Sequence, residues 1–143
     1  MQKQIFSFKF LPMLTVLLAM VIFQNCKDDE GDSHEPGEDT TAPVLSLTSP
    51  TNGQNFVNGD TIHIMGTVTD ETALHEYVWS IKDAGGATVH EATVSVHDKI
   101  EHDIHEMHVV SGVTAATTWT VTVHVEDHGE NSDEESATLN VGQ

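Results

Sequence analysis

The residues Val96 to Val110, VHDKIEHDIHEMHVV, hold His97, His102, His105 and His108 with Asp98, Glu101, Asp103 and Glu106 between them. Histidine at this density can build a transition-metal site. A neutral imidazole ligates zinc, copper, nickel or iron, and a carboxylate beside it accepts the proton of the other ring nitrogen and fixes the tautomer. The only cysteine, Cys26, lies far away in sequence, so the ligands would be nitrogen and carboxylate, with Met65 or Met107 able to add a thioether for Cu(I). Copper or zinc is the expected ion. The histidines of His105-Glu106-Met107-His108 are too close for the His-Glu-x-x-His spacing of zinc proteases. The chain also lacks a Gly-x-Ser-x-Gly nucleophile elbow and a phosphate loop. Binding rather than catalysis is the expected role.

The elements that must position these rings read as β-strands. Thr61 to Asp70 alternates with Ile62, Ile64, Gly66 and Val68 on one face, which sends His63 and Met65 outward. Leu74 to Lys82 follows as the next strand, with Tyr77, Trp79 and Ile81 together on a face. Asp83-Ala84-Gly85-Gly86 is a turn, and the chain returns from Ala87 to His97. Trp119, Val121, Val123 and Val125 point inward from the clearest alternation of all, with His124 outward. Val44 to Leu47 opens the domain and Ala137 to Val141 closes it. About seven short strands separated by turn formers, with no sustained helical period, predict an all-β sandwich.

The histidine-rich segment itself has no clean register. If Asp98 to Glu101 is a tight connection, His97 and His102 meet across a hairpin. On a strand, Ile104 shares a face with His102, Glu106 and His108, whereas Met107 and Val109 share the other with Asp103 and His105. A β-bulge near Glu106 would bring Ile104, Met107 and Val109 inward together. A helix is the minor alternative, since Ile100, Ile104 and Met107 have i, i+4, i+7 spacing. The second and fifth strands of such a sandwich are usually neighbours, which sets the candidate site on an outer sheet face. Its residues would be His63, His97 and two of His102, His105 and His108, with His90 as a further ligand. His75, at a strand start, and His128, in a loop, read as ordinary exposed histidines. Glu126, Asp127, Glu130, Asn131 and Asp133 could gather around calcium, but solvated loop acids are the simpler reading because their spacing is not that of an EF-hand.

The first 25 residues read as an address. Lys3 and Lys9 precede an apolar run from Leu11 to Phe23, which is shorter than the roughly 20 residues a membrane-spanning helix needs. Residues 26–42 begin with Cys26 and continue as an acidic, Gly- and Pro-containing stretch without apolar clusters, expected to be a flexible tether. Residues 43–143 form the domain. With residues 1–25 removed, three lysines (Lys27, Lys82 and Lys99) face all 23 acids and no arginine, which excludes nucleic acid as a partner and favours cations.

Cys26 directly after the apolar run resembles the acylation site of bacterial lipoprotein precursors, and Lys27-Asp28-Asp29-Glu30 resembles the export signal of Bacteroidetes-type surface lipoproteins. The GTVTD segment (Gly66 to Asp70), the strand with Trp79, and TWTVTVHVEDHGEN (Thr118 to Asn131) are similar to bacterial immunoglobulin-like domains. Trp119 stands where those domains often have tyrosine, and there is no disulfide pair. A short His-rich domain behind such a signal resembles a family of uncharacterised Bacteroidetes lipoproteins. The resemblance implies an immunoglobulin-like β-sandwich, a lipid anchor at Cys26 and a location on the outer membrane, exposed at the cell surface. The expected function is metal capture or delivery. A non-catalytic domain that docks on an outer-membrane transporter or another surface protein is the alternative, with exposed Trp, Tyr and Thr carrying its contacts. A pH sensor built from clustered histidines is a third reading.

Overall fold

Alternation between buried and exposed side chains organises the molecule, and its phase changes once, in the middle of a long strand. The computed structural model describes residues 39–143; the leader 1–25, Cys26 and the first part of the tether lie outside them. Six strands follow in order: β1 (Val44–Ser49), β2 (Asn55–Val57), β3 (Thr61–Asp83), β4 (Thr88–Val109), β5 (Thr117–Asp127) and β6 (Ser132–Gly142). β3 contains both the Thr61 to Asp70 and the Leu74 to Lys82 segments, which the sequence suggested were separate strands. In its first half Ile62, Ile64 and Val68 are buried, and in its second half Tyr77, Trp79 and Ile81. The parity switches across register shifts at Thr69/Leu74 and Leu74/Glu76, because a one-residue slip sends every later side chain to the opposite face.

The bend lets one strand serve two layers. The first half of β3 pairs with β1 on one side (Leu45↔Val68) and with the end of β4 on the other (Ile64↔Glu106). The second half pairs with the start of β4 (Trp79↔Ala92) and with β5 (Trp79↔Val123). β6 then pairs antiparallel with β5, and β2 adds to β6 in parallel. The inner faces of both layers meet in one core that includes Ile62, Ile64, Trp79, Ile104, Trp119, Val123 and Leu139. The domain is an immunoglobulin-like β-sandwich in which the sheet curls back on itself.

Three local expectations for the histidine-rich segment change. Asp98 to Glu101 is not a hairpin connection: β4 runs through it, bending where Asp98 adopts a left-handed backbone (φ 62) that aspartate tolerates. The segment is strand rather than helix, since it supplies the ladder along the first half of β3. The bulge near Glu106 is also absent, and pairing runs unbroken from Thr61↔Val109 to Thr69↔Glu101. Polar residues on the inner face are tolerated because they lie along the flank where the two layers part. There the Tyr77 hydroxyl donates to Glu106 Oε1 at 2.7 Å.

β1 packs tightly on β3 through the glycine of GTVTD. A Cβ at Gly66 would meet the Ser46 carbonyl oxygen at 2.6 Å and Leu47 Cα at 3.2 Å. Backbone atoms cannot swing aside as a flexible side chain would. Gly66→Ala is therefore expected to destabilise the domain by about 1–3 kcal/mol. Denaturant unfolding would measure the loss, and hydrogen exchange should locate the loosening in β1; unchanged stability would refute the close approach.

Candidate metal centre

His75 and His97 flank one break in the β3–β4 ladder, between Leu74 and Glu76, and His128 follows directly on the end of β5. Leu74 and Glu76 pair with the adjacent residues Asp127 and Glu126 of β5, so His75 is the extra residue of a β-bulge and its side chain is aimed out of the regular alternation. On the other side of β3, Glu76 pairs with Ser95 and Leu74 with Lys99, which leaves His97 in the irregular stretch that ends in left-handed Asp98. His128 is the first residue after β5, in a turn held by Asp127, whose Oδ1 accepts from Gly129 N (2.7 Å) and Asn131 N (2.9 Å). The backbone N–H of His128 donates to the Ala73 carbonyl at 3.3 Å, tying that turn to the β3 bend.

The three positions converge. One ring nitrogen from each of His75, His97 and His128 lies within 4.8 Å of the others. His97 Nδ1 and His128 Nε2 are 3.1 Å apart, a hydrogen bond in which either neutral ring can be the donor. Ring centroids are 4.6 Å apart for His75–His97, and 4.9 Å for both His75–His128 and His97–His128. A tetrahedral zinc with nitrogen ligands at 2.0–2.1 Å holds them roughly 3.3 Å apart. The shortest pair already has this spacing, and modest side-chain rotation closes the rest. His97 and His128 are exposed and His75 is half-buried, so the centre is open to solvent.

Of the six histidines expected as ligands, only His97 belongs to this triad; the others occupy two different surroundings. His63 and His105 point outward from the β1–β3–β4 layer, where His63 is paired with Met107 and Met65 with His105. The outward direction and the neighbouring strands agree with the expected outer face, and Met65 and Met107 are exposed there. His90, His102 and His108 instead line the flank between the layers, half-buried. His90 stacks on Trp79 with centroids 4.1 Å apart, and His108 lies 5.2 Å from His90 and 6.0 Å from Trp119. Nδ1 of His102 is 3.2 Å from the Lys99 ammonium, which donates to it and leaves a cation where a metal would have to approach. These three rings cover aromatic core as packing groups.

His75 and His128 were expected to be ordinary exposed histidines. Exposure is right for His128, but both belong to the triad. A bulge and a left-handed aspartate bring the triad together; the parity switch between Val68 and Tyr77 marks the bulge without fixing which residue it frees, and the aspartate has no signature in the spacing of apolar residues. The pairing of the Tyr77–Ile81 stretch with Val121–Val125 is the one signal that would have set His75 beside residues 126–128.

Comparison with known proteins adds the fold and nothing finer. No protein-family model and no curated protein matches the chain. The fibronectin(III)-like modules of Clostridium thermocellum CbhA are 15% identical with a TM-score of 0.46, over 71% of this chain and 47% of that one. The sporulation control protein Spo0M of Bacillus subtilis is 10% identical with a TM-score of 0.50, over 71% of this chain and 49% of its own. The chain thus spans about half the length of either structure.

Burial, and then the neighbouring His90, push the His108 pKa below its usual value. For His102 burial is again the main cause, followed by Lys99. A depressed histidine binds its proton more readily in the unfolded chain. The stability it contributes is therefore complete above the unfolded pKa of about 6.5 and is lost as pH falls through the folded value. The metal-free protein should melt at a lower temperature at acid pH than at neutral pH, and His108→Gln should reduce that difference. An equal acid shift in both proteins would contradict the assignment.

Proposed function

We propose that this chain is a surface-anchored lipoprotein whose immunoglobulin-like domain binds copper or zinc at His75, His97 and His128, for capture or delivery rather than catalysis. The observation that carries this reading is the meeting of three imidazoles, two from facing strands at one ladder break and one from the turn after β5, with ring nitrogens within 4.8 Å of one another. All-nitrogen ligation suits zinc and copper, and three protein ligands leave a fourth position for water or for a partner's ligand during transfer. The excess of carboxylates supports it by raising the cation concentration near the surface.

Anchoring at Cys26 is part of the same proposal. The turn that carries His128 also holds the start of the described chain, because Asn131 Nδ2 donates to the Asp39 carbonyl at 3.0 Å. The 13 residues from Cys26 to Asp39 can reach at most about 45 Å. An acylated Cys26 would accordingly keep the domain close to the membrane, where an outer-membrane transporter would take the ion or supply it.

Docking on a transporter or other surface protein remains a second reading, with a different contact set from the one expected. Tyr77, Trp79 and Trp119 are buried, so aromatic contacts are not offered. Met65, Met107 and Val109 are exposed on the outer face of the β1–β3–β4 layer and favour that face instead. Crosslinks on intact cells concentrated there, and unchanged by loss of the triad, would support docking as the principal role.

Zinc and copper titrations followed by calorimetry test the metal reading. His75→Ala, His97→Ala and His128→Ala should each weaken binding by at least about tenfold, whereas His63→Ala and His105→Ala should leave it unchanged. Affinity should also fall as the pH is lowered, because a ring must be deprotonated to bind the metal. Binding no tighter than millimolar, indifferent to all three triad substitutions, would refute it.

A further inference from the structure

Beside the imidazole triad lies a second cluster, made only of carboxylates. One oxygen from each of Asp39, Asp70 and Asp127 lies within 4.8 Å of the others. Asp127 is 1% exposed and Asp70 8%. Asp70 Oδ1 accepts from Thr72 N and Ala73 N, each at 2.8 Å. Its second oxygen, Oδ2, is buried and has no hydrogen-bond partner. Asp127 accepts from Gly129 N and Asn131 N through Oδ1, and from Asn131 Nδ2 through Oδ2 at 2.9 Å. Asp39 Oδ1 accepts from Thr41 N at 3.0 Å. Among the described residues the one ion pair is His124–Glu134, elsewhere on the sheet, so no cationic side chain neutralises the three carboxylates.

A buried carboxylate oxygen without a donor, next to two more carboxylates, is costly unless a cation completes the group. We infer that Asp39, Asp70 and Asp127 form a calcium site at the end of the sandwich. An all-oxygen set selects a hard cation over zinc or copper, which fit the imidazoles. Calcium fits better than magnesium because the ligands come from three separate segments, and calcium accepts irregular shells of six to eight oxygens completed by water.

The space around Gly129 is shaped for this approach. A Cβ there would meet the Asp39 carbonyl oxygen at 2.7 Å, Asn131 Nδ2 at 2.9 Å and Asp39 Cβ at 3.1 Å. Only glycine lets Asp39 lie against the β5–β6 turn. The site would join the segment ahead of β1 to the bend of β3 and the end of β5. It shares no ligand with the triad.

The test uses the full chain in detergent, stripped of metal by chelator, with calcium as the only added divalent ion. Calcium at about 1 mM, the affinity range of extracellular calcium modules, should raise the melting temperature of the wild-type protein. The His75→Ala/His97→Ala double variant should respond equally, which separates this site from the triad. Asp39→Asn should weaken calcium binding by about tenfold or more, as removal of a charged ligand does, and Asp70→Asn and Gly129→Ala should do the same. Asp39 is the least buried of the three, so Asp39→Asn should fold even if Asp70→Asn does not. No calcium shift in the wild type would overturn the inference. So would a shift equally large in Asp39→Asn, which would mean that acids elsewhere in the chain hold the ion.

Discussion

Two inward-turned carboxylates, Asp70 and Asp127, hold the end of the sandwich on which everything of functional interest is mounted. Where β3 leaves its ladder, the N–H groups of Thr72 and Ala73 lose strand partners and find Asp70 Oδ1 instead. Where β5 ends, Gly129 and Asn131 do the same with Asp127 Oδ1. An unsatisfied buried donor costs about 1–3 kcal/mol, and a short aspartate side chain reaches the backbone two or more residues ahead. The bend and the turn are thereby each fixed, and the His128 N–H donated to the Ala73 carbonyl ties one to the other, His75 and His128 with them.

Regular strands distribute histidines rather than gather them. Along an unbroken ladder neighbouring side chains alternate faces, and His102, His105 and His108 obey this rule, so His105 faces out while His102 and His108 cover the flank. Convergence needs departures from the ladder. Bulges and left-handed residues redirect one side chain at a time without disturbing the core on either side. His75 and His97 are redirected in this way on facing strands, and His128 follows from the turn. The triad is therefore a property of defects in the sheet, and the count of histidines along β4 says little about it.

Much of the fold is visible in the chain because burial on a sheet has a period of two. Ile62, Ile64 and Val68, then Tyr77, Trp79 and Ile81, then Trp119 to Val125 all lie inward as their alternation indicates. The neighbouring of His63 and Met65 with the histidine-rich stretch also follows, from the strand order of such sandwiches. The continuity of β3 and β4 through their bends does not, because the polar residues there resemble turns. Nor does the unbroken register at Glu106: a polar inward position looks like an error until Tyr77 is seen to complete it. The carboxylate cluster is least legible, since Asp39, Asp70 and Asp127 are brought together only by the closure of the sandwich.

The outer margin of β1 has a consequence of another kind. One side of β1 pairs with β3, and the N–H groups of Leu45 and Leu47 on the other side donate to Asp133 Oδ2 and Glu135 Oε2 of β6 at 2.9 and 2.7 Å. Side-chain oxygens stand where the backbone of a further strand would bind. An open margin of unpaired N–H groups is a template for sheet-to-sheet growth between molecules. Here the template is occupied by negatively charged groups of the same chain, so copies crowded together would repel at this border instead of zipping into a common sheet.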